Sequence, residues 1–255
     1  MVLGLIHLFL IFFLTSCGGG LLRTLTPTTN LLTSEVQGRF LKTSIAGTAS
    51  DGVDTSAPIN DETTSLNFDS KKSFTQVALS PQVGISSRVD IFTKIGSHSP
   101  ILYGVKWQMF GTPKELAMRN SNSFSIYMSG GRNRYQAQWE SNFPSTSFFK
   151  ANRIHTLIDY GFLFGRRLLD ELLLYSRYSV LIDETHGKFD YEDNPNLDQT
   201  KFSLEGKHRS LGLGLLWHSP KVNIGLEYSQ LKTNWKSASN TTSDSILFIL
   251  SRDFD

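Results

Sequence analysis

The chain is 255 residues long, carries a formal net charge of +2 and contains a single cysteine; 39% of its residues are hydrophobic and 12% are aromatic. This charge balance provides no basic stripe of the kind that binds nucleic acid, so no nucleic-acid partner is expected. The chain also lacks CxxC, HExxH and phosphate-loop motifs, so we predict neither a bound metal nor a cofactor.

The first predicted element is a signal peptide at residues 1–16. Its hydrophobic stretch, 3–14, has about a dozen residues, whereas a transmembrane helix needs roughly 20. That length suits the core of a secretory signal, which is removed during export. The usual positive n-region is missing, because no Lys or Arg occurs before Arg23. The sequence therefore predicts an exported protein.

The signal ends in a motif that resembles the lipobox of bacterial lipoproteins, Leu14, Thr15, Ser16 and Cys17. The resemblance implies cleavage before Cys17, with a diacylglycerol on its sulfur and an acyl chain on its new amino group. Lipidation would also consume the only thiol, which is otherwise prone to oxidation. Gly18 follows the cysteine, which in that family implies the outer membrane of a Gram-negative-type cell. The alternative is an ordinary signal peptide with an accidental cysteine.

Residues 17–72 are rich in Gly, Ser, Thr, Asn and Asp and poor in aromatics. Such a composition buries little apolar surface and predicts a lipidated, flexible tether without a core of its own. One mixed apolar and polar stretch, 36–46, is a candidate extra strand. From residue 73 onward aromatics become frequent, and we assign 73–255 to a β-barrel domain.

Within the predicted barrel domain, segments of about ten residues alternate apolar with polar side chains. In ILYGVKWQMF one face carries Tyr103, Val105 and Trp107, and the other carries Lys106 and Gln108. Successive side chains of a strand point to opposite sides of the sheet, so this pattern predicts strands. The same alternation recurs in RYQAQWE, RIHTLIDYGFLFG, SLGLGLLWH and KVNIGLEYS.

The predicted fold class is all-β, an antiparallel up-and-down transmembrane barrel of about ten strands. The predicted strands are 74–85, 88–96, 101–110, 121–129, 133–142, 153–164, 169–182, 202–217, 221–231 and 244–254. Connections after even-numbered strands are short and most of the others are longer, which is typical of periplasmic turns and external loops. Aromatics near strand ends are typical of interfacial girdles, at Trp107, Trp139, Tyr160, Trp217 and Tyr228. An even strand count places both barrel ends on the periplasmic side, which agrees with a lipid on Cys17 held in the inner leaflet.

From about residue 73 the chain resembles small outer-membrane barrels in general, notably in GLEYSQLKTNW and the final strand after it. Phe254 resembles the terminal aromatic that the barrel assembly machinery recognises, although Asp255 follows it. The resemblance implies two partners, outer-membrane lipid and that machinery, and leaves any surface ligand open.

Ten strands enclose a narrow interior, so we expect charged side chains to pair inside it. The candidate lumen network is Lys106, Arg134, Glu140, His155, Asp159, Arg177 and Glu227. For RYQAQWE this places Arg134 and Glu140 inward and Tyr135 outward. The sequence therefore predicts a salt-bridged, closed lumen and not a wide pore.

Three functions remain open. The first is a lipidated barrel with a structural or surface-interaction role, in which the acidic segment 183–200 is the main external loop. The second is an outer-membrane enzyme of the lipid A hydrolase or protease type, with candidate residues His218, Ser219 and Glu227, or His155 and Asp159. The third is a surface or periplasmic lipoprotein with a soluble β-barrel binding domain, whose apolar faces would form a water-excluding core. We favour the first and assign no catalytic residue.

Overall fold

The computed structural model describes residues 21–26, 32–58, 68–96, 99–141, 147–191, 201–219 and 222–254. Within these ranges the chain forms eleven strands and a short 3₁₀ helix, Lys114–Leu116. The strands are β1 (Leu21–Thr26), β2 (Thr43–Pro58), β3 (Asp69–Ser86), β4 (Val89–Gly96), β5 (Leu102–Gly111), β6 (Asn122–Ser141), β7 (Ser147–Arg167), β8 (Leu172–Tyr191), β9 (Lys201–Trp217), β10 (Asn223–Lys232) and β11 (Thr242–Phe254).

Ten of these strands close into a barrel. Each strand from β2 to β11 pairs antiparallel with its sequence neighbours, and β2 pairs with both β3 and β11. β1 pairs with the second half of β2, on the edge whose first half pairs with β11. Closure leaves the backbone groups of these strands paired with one another, as a lipid environment requires. The predicted antiparallel up-and-down barrel of ten strands is confirmed.

The predicted turn between residues 129 and 133 is wrong. The predicted strands 121–129 and 133–142 form a single strand, β6, without a turn at Gly130 and Gly131. A two-residue hairpin turn needs positive φ angles, and neither glycine has one. A Cβ atom at Gly131 would instead collide with the backbone oxygen of Ile101. The glycine therefore permits a close approach between strands and does not mark a turn.

The tenth barrel strand comes from the segment predicted as a tether. β2 begins at Thr43 and continues to Pro58, and β3 begins at Asp69. The inward side chains of β2 are small, such as Ser44, Ala46 and Thr48, so its alternation is weak in sequence. The barrel domain therefore begins by Thr43, which corrects the predicted boundary at residue 73.

These changes reassign the connections. At one end, here called the proximal end, lie Thr43, Phe254 and the connections 87–88, 112–121, 168–171 and 218–222. At the other, the distal end, lie the connections 59–68, 97–101, 142–146, 192–200 and 233–241. By the alternation of connection lengths, the long connection after the third predicted strand (GTPKELAMR, 111–119) was expected opposite the short ones after the sixth (GRRL, 165–168) and the eighth (HSPK, 218–221). This prediction is wrong, because all three connections are proximal.

The strands differ greatly in length, and the longer ones extend past the others at the distal end. β6, β7 and β8 have 20, 21 and 20 residues, whereas β4 and β10 have 8 and 10. Crossing a bilayer takes about 9–11 tilted residues. Residues 183–191, predicted as part of an external loop, continue β8 and pair with β7 and β9; the remainder of that segment, 192–200, lies outside the described residues.

An exposed apolar belt surrounds the proximal part of the barrel. It is made by outward side chains of the closed sheet: Ile91, Tyr103, Val105, Trp107, Met109, Ile126, Met128, Phe162, Phe164, Leu211, Leu213, Leu215, Trp217, Ile224, Leu226, Tyr228, Ile246, Phe248 and Leu250. Along β9 the outward series changes from Lys207 and Arg209 to Leu211 and Leu213, which marks the distal border of the belt. Apolar outside and polar inside is the pattern of an outer-membrane barrel, and it is the reverse of the apolar core that a soluble barrel would have. Within the described residues, no helix is long and apolar enough to span a membrane.

Candidate functional site

The interior of the barrel is filled with paired polar side chains. Arg177 donates to Glu227 Oε1 (2.5 Å) and to Ser229 Oγ (3.0 Å), while the hydroxyl of Tyr175 donates to Glu227 Oε2 (2.8 Å). Arg177 and Glu227 are 2% and 0% exposed. The glycines of SLGLGLLWH make room for this cluster, because a Cβ at Gly212 would collide with the carboxylate of Glu227.

A second buried cluster forms around Asp159. Lys94 donates to its Oδ2 atom, and the hydroxyl of Tyr127 donates to Oδ1 (3.0 Å). The ammonium group of Lys94 also lies 4.7 Å from the ring centroid of Tyr127 and 5.4 Å from that of Phe92. An isolated charge is costly in the interior, so the pairing of Lys94 with Asp159 stabilises both groups there. The side chains of this cluster fill lumen space.

Near the proximal end the lumen is occupied by residues 32–37, here called the plug segment. Glu35 accepts two hydrogen bonds from Arg167, at 2.7 and 2.6 Å. The ammonium of Lys106 donates to the Glu35 carbonyl oxygen (2.6 Å) and pairs with Asp90 (3.2 Å). Leu32 packs against Phe92, Tyr127 and Leu163 in one apolar cluster.

Inward side chains of the barrel satisfy the backbone of the plug segment. The N–H of Val36 donates to Gln108 Oε1 (3.0 Å), and that of Gln37 donates to Asp90 (3.1 Å). The hydroxyl of Ser125 donates to the Ser34 carbonyl oxygen (2.5 Å). Buried backbone groups need such partners because no strand ladder serves them. Residues 32–37 fall in the predicted tether, and their place in the lumen was not predicted; the signal for it lay in the inward polar residues of β5 and β6.

Distal to the belt, Asp183 lies between two histidines. Its carboxylate is 2.9 Å from His155 Nε2 and 3.7 Å from His208 Nε2. Burial opposes ionisation of Asp183, but the charges and hydrogen bonds of His155 and His208 outweigh it and hold the pKa of this carboxyl well below its usual range. Trp235 packs edge-on against His208, with ring centroids 4.4 Å apart.

An apolar cluster also closes the lumen beside these histidines. Five strands contribute one buried residue each: Val53, Leu102, Leu157, Leu181 and Leu231. In register, Leu157 lies opposite Asp183, and Leu181 lies opposite His208. Apolar residues that meet across a narrow barrel exclude water from its axis.

The structure places five of the seven candidate lumen residues inside the barrel: Lys106, His155, Asp159, Arg177 and Glu227. Arg134 corrects the prediction, because its side chain is exposed on the outward face. β6 pairs with β7 without a register shift, so Arg134 shares its face with Ile126 and Met128. The alternation of RYQAQWE is out of phase with that of the preceding half of the strand. Nothing is described for the side chain of Glu140, and Leu14, Thr15, Ser16 and Cys17 lie outside the described residues.

The candidate enzyme residues do not form the predicted groups. His155 contacts Asp183, whereas Asp159 contacts Lys94 and Tyr127. Nδ1 of His218 lies 3.2 Å from Asn223 Oδ1, and Glu227 pairs with Arg177. Each acidic residue is thus engaged with a different partner from the one proposed.

The outward surface distal to the belt carries a group of exposed basic residues, here called the cationic face: Arg132, Arg134, Lys201, Lys207, Arg209 and Lys232. They lie on β6, β9 and β10, and within the described part of the chain none of them forms a salt bridge. Arg209 and Lys232 are direct partners in the β9–β10 register. The acidic neighbours are Glu184, Glu205 and Asp244. Glu205 is paired with Lys236, and Asp244 accepts hydrogen bonds from Tyr228 and Gln230.

No protein-family profile matches the chain, and no curated protein sequence matches it. Among solved structures, the chain is similar to Ail, the attachment invasion locus protein of Yersinia pestis, with 12% identity, coverage of 85% of this chain and 100% of that one, and a TM-score of 0.34. It is also similar to the outer membrane protease OmpT from Escherichia coli, with 8% identity, coverage of 89% and 100%, and a TM-score of 0.43. A third similar structure is the outer membrane channel DcaP of Acinetobacter baumannii, with 8% identity, coverage of 84% and 96%, and a TM-score of 0.22. Similarity at this level assigns no activity to the chain.

Proposed function

We propose that this protein is an outer-membrane β-barrel with a sealed lumen, anchored additionally by lipid on Cys17, and that its role is structural or one of surface interaction. The observation that carries this proposal is the filling of the interior by buried ion pairs, an apolar cluster and the plug segment. An open pore needs a continuous column of water, which these side chains displace. Outer-membrane lipid and the barrel assembly machinery remain the predicted partners, and the exposed apolar belt supports the first of them.

Conductance tests the sealed lumen. In a planar bilayer the purified protein is expected to give no steady ion conductance. Replacing both members of one plug contact, Glu35→Ala with Arg167→Ala, removes the pair without leaving a lone buried charge. This double variant loosens the plug segment while the apolar cluster and the other ion pairs still fill the lumen, so it is expected to show at most rare, brief openings. The matched control, Glu205→Ala with Lys236→Ala, removes an exposed pair and is expected to behave as the wild type. Steady conductance by the wild type would overturn the proposal.

The cationic face indicates what kind of ligand the outer surface binds. Arg209 and Lys232 lie directly opposite each other, and like charges in that position destabilise a sheet. A bound anion relieves this repulsion. Arg209 and Lys232 lie where this face borders the apolar belt, at the depth of lipid headgroups, so the ligand we infer is the phosphate group of an anionic lipid.

Anionic phospholipid added to the protein in neutral detergent is expected to raise the temperature at which the compact barrel unfolds, as measured by the shift in gel mobility. The rise is expected to shrink in Arg209→Gln with Lys232→Gln and to persist in Lys71→Gln, which alters an exposed lysine on β3. High salt should reduce the rise, because exposed charges are screened. An equal rise with neutral phospholipid would contradict phosphate recognition.

A further inference from the structure

The amino-terminal part of the chain runs through the barrel from its distal to its proximal end. β1 is antiparallel to β2, with Leu21 opposite Pro58 at the distal tip and Thr26 opposite Val53. Leu32 is buried deeper in the lumen, and Thr43 begins β2 at the proximal end. The described residues before β2 therefore lie progressively nearer the proximal end as the residue number increases.

Contacts at successive depths support this path. Ser34 Oγ lies 2.7 Å from Ser123 Oγ, and Glu35 is held by Arg167 closer to the proximal end. The carbonyl oxygen of Val36 then accepts a hydrogen bond from the N–H of Lys114, in the proximal connection 112–121. A turn with positive φ at Gly38 and Leu41 brings the chain to the start of β2.

We propose that the chain before Leu21 emerges at the distal end, so that a lipid on Cys17 lies in the leaflet on that side, opposite the end that holds Phe254. This inference rests on the proposed function for the membrane itself, and it replaces the expectation of a lipid in the inner, periplasmic leaflet. Cys17 precedes Leu21 by four positions, so the two residues are at most about 14 Å apart. The hydrocarbon core is about 30 Å thick, so that span does not carry Cys17 across to the proximal leaflet.

Threading makes the anchor part of the fold. The plug segment is joined to β1 on its distal side and to β2 on its proximal side, and both strands belong to the barrel wall. The buried pair of Glu35 and Arg167 holds the segment inside the lumen. A force applied to the lipid would therefore act on the plug segment inside the barrel and not on a free tether. The chain would present its modified terminus on the outer surface of a Gram-negative-type cell while both ends of the barrel sheet remain periplasmic.

The test uses the full-length protein in cells with an epitope and a specific protease site inserted between Gly20 and Leu21. Two control variants carry the same insertion, one between Asn60 and Asp61 at the distal end and the other between Ser219 and Pro220 at the proximal end. Cells are labelled with palmitate, and intact cells are exposed to antibody and protease. We expect antibody staining at residues 20 and 60 but not at 219. We also expect protease to remove the palmitate label from the barrel of the first variant without outer-membrane permeabilisation.

The possible failures differ. If the insertion at residue 20 behaves like that at 219 while that at 60 is stained, the threading is wrong and the membrane barrel stands. Staining at 219 but not at 60 means that the barrel orientation is wrong. Absence of palmitate from a barrel whose terminus is nevertheless stained overturns the lipid on Cys17 and keeps the path.

Purified protein provides a second, independent measurement. In Ser34→Cys with Ser123→Cys the two sulfurs are expected to form a disulfide, because the replaced oxygen atoms are 2.7 Å apart. A control pair, Ser34→Cys with Ser203→Cys, joins the plug segment to an outward residue and is expected to stay reduced. Complete absence of the first disulfide in a folded barrel would overturn the threaded path.

Discussion

At the scale of residues, the barrel interior contains buried charges, each of which would destabilise the fold without its counter-charge. The two terminal nitrogens of Arg177 donate to four partners, Glu227, Ser210, Ser229 and Ser179. Removing one charge of such a pair leaves the other buried and uncompensated, whereas an exposed pair contributes little because water solvates both partners. The lumen therefore constrains substitutions more strongly than the surface does.

Glu227→Gln is expected to lower the free energy of unfolding by about 3 kcal/mol, because Arg177 loses its buried counter-charge. Glu205→Gln, which breaks the exposed pair with Lys236, is expected to change it by less than about 1 kcal/mol. Urea unfolding of both variants in lipid vesicles, followed by tryptophan fluorescence, checks this contrast. Equal losses would mean that the pair around Arg177 is hydrated.

His218, at the proximal end, is expected to make stability depend on pH. Its burial, together with the positive charges of Lys114 and Arg167, lowers its pKa from 6.5 to about 3. The unfolded chain thus binds a proton between these values that the folded chain does not, so stability is complete above pH 6.5 and falls as the pH decreases toward 3. The loss approaches about 1.4 kcal/mol per pH unit.

Urea midpoints measured at pH 7.5 and pH 5.5 check this dependence. His218→Gln keeps a polar group beside Asn223 but cannot titrate, so its midpoint is expected to change less between the two pH values. An unchanged pH dependence in this variant would assign the effect to another group.

At the scale of elements, the continuity of β6 depends on one glycine of an adjacent pair. A Cβ at Gly131 would collide with the Ile101 carbonyl, whereas the nearest atom to a Cβ at Gly130 is 3.8 Å away. Two consecutive glycines look alike in sequence, yet only one of them is close to a neighbouring strand. A turn at this place would expose both.

Gly131→Ala is therefore expected to destabilise the barrel by about 1–3 kcal/mol through overpacking. Gly130→Ala is expected to be neutral or slightly stabilising, because the added methyl group makes only ordinary van der Waals contacts and the substitution restricts the unfolded chain. Thermal loss of the compact form on gels, measured for both variants, distinguishes them. Similar effects would favour the two-strand interpretation with a turn at these glycines.

At the scale of the whole molecule, the apolar belt marks the part of the outer surface that faces the hydrocarbon of the membrane. Leu213, in the belt on β9, is 56% exposed, while Ser203 is exposed on the same strand beyond the belt. Both point outward, so they share secondary structure and direction and differ in depth. Ser210 faces the lumen and accepts a hydrogen bond from Arg177 (2.9 Å), so an added arginine there would introduce repulsion inside the barrel.

Leu213→Arg is expected to lower the free energy of unfolding in bilayers by about 2–4 kcal/mol, because it places a charge in the hydrocarbon region. Ser203→Arg is expected to change it by less than about 0.5 kcal/mol, as surface substitutions generally do. Folding titrations in vesicles test the pair. If the two variants lose similar stability, residues on both sides of the belt border share one environment.

The sequence by itself determined the β class, the barrel architecture and the inward face of β5, β7, β9 and β10. The β class and the inward faces follow from a period of two residues, which a ten-residue window is long enough to show. The barrel architecture was predicted also from the connection lengths and from aromatic residues near strand ends. It also predicted the inward direction of Lys106, Asp159 and Glu227, although not their partners. The alternation was misleading at Arg134, because beyond the belt no lipid selects apolar residues for the outer face.

Only the tertiary structure decided which segments meet. Glu35 and Arg167 are separated by 132 positions, and Thr43 closes the barrel beside Phe254. No local window records such pairs, since each depends on the shape of a lumen that exists only after closure. In sequence, the polar segment 32–37 looks like a tether. Once the barrel surrounds it, each of its buried backbone groups needs a hydrogen-bond partner, because an unpaired one would destabilise the fold. The plug segment therefore owes its position to the inward side chains of distant strands and not to its own propensity.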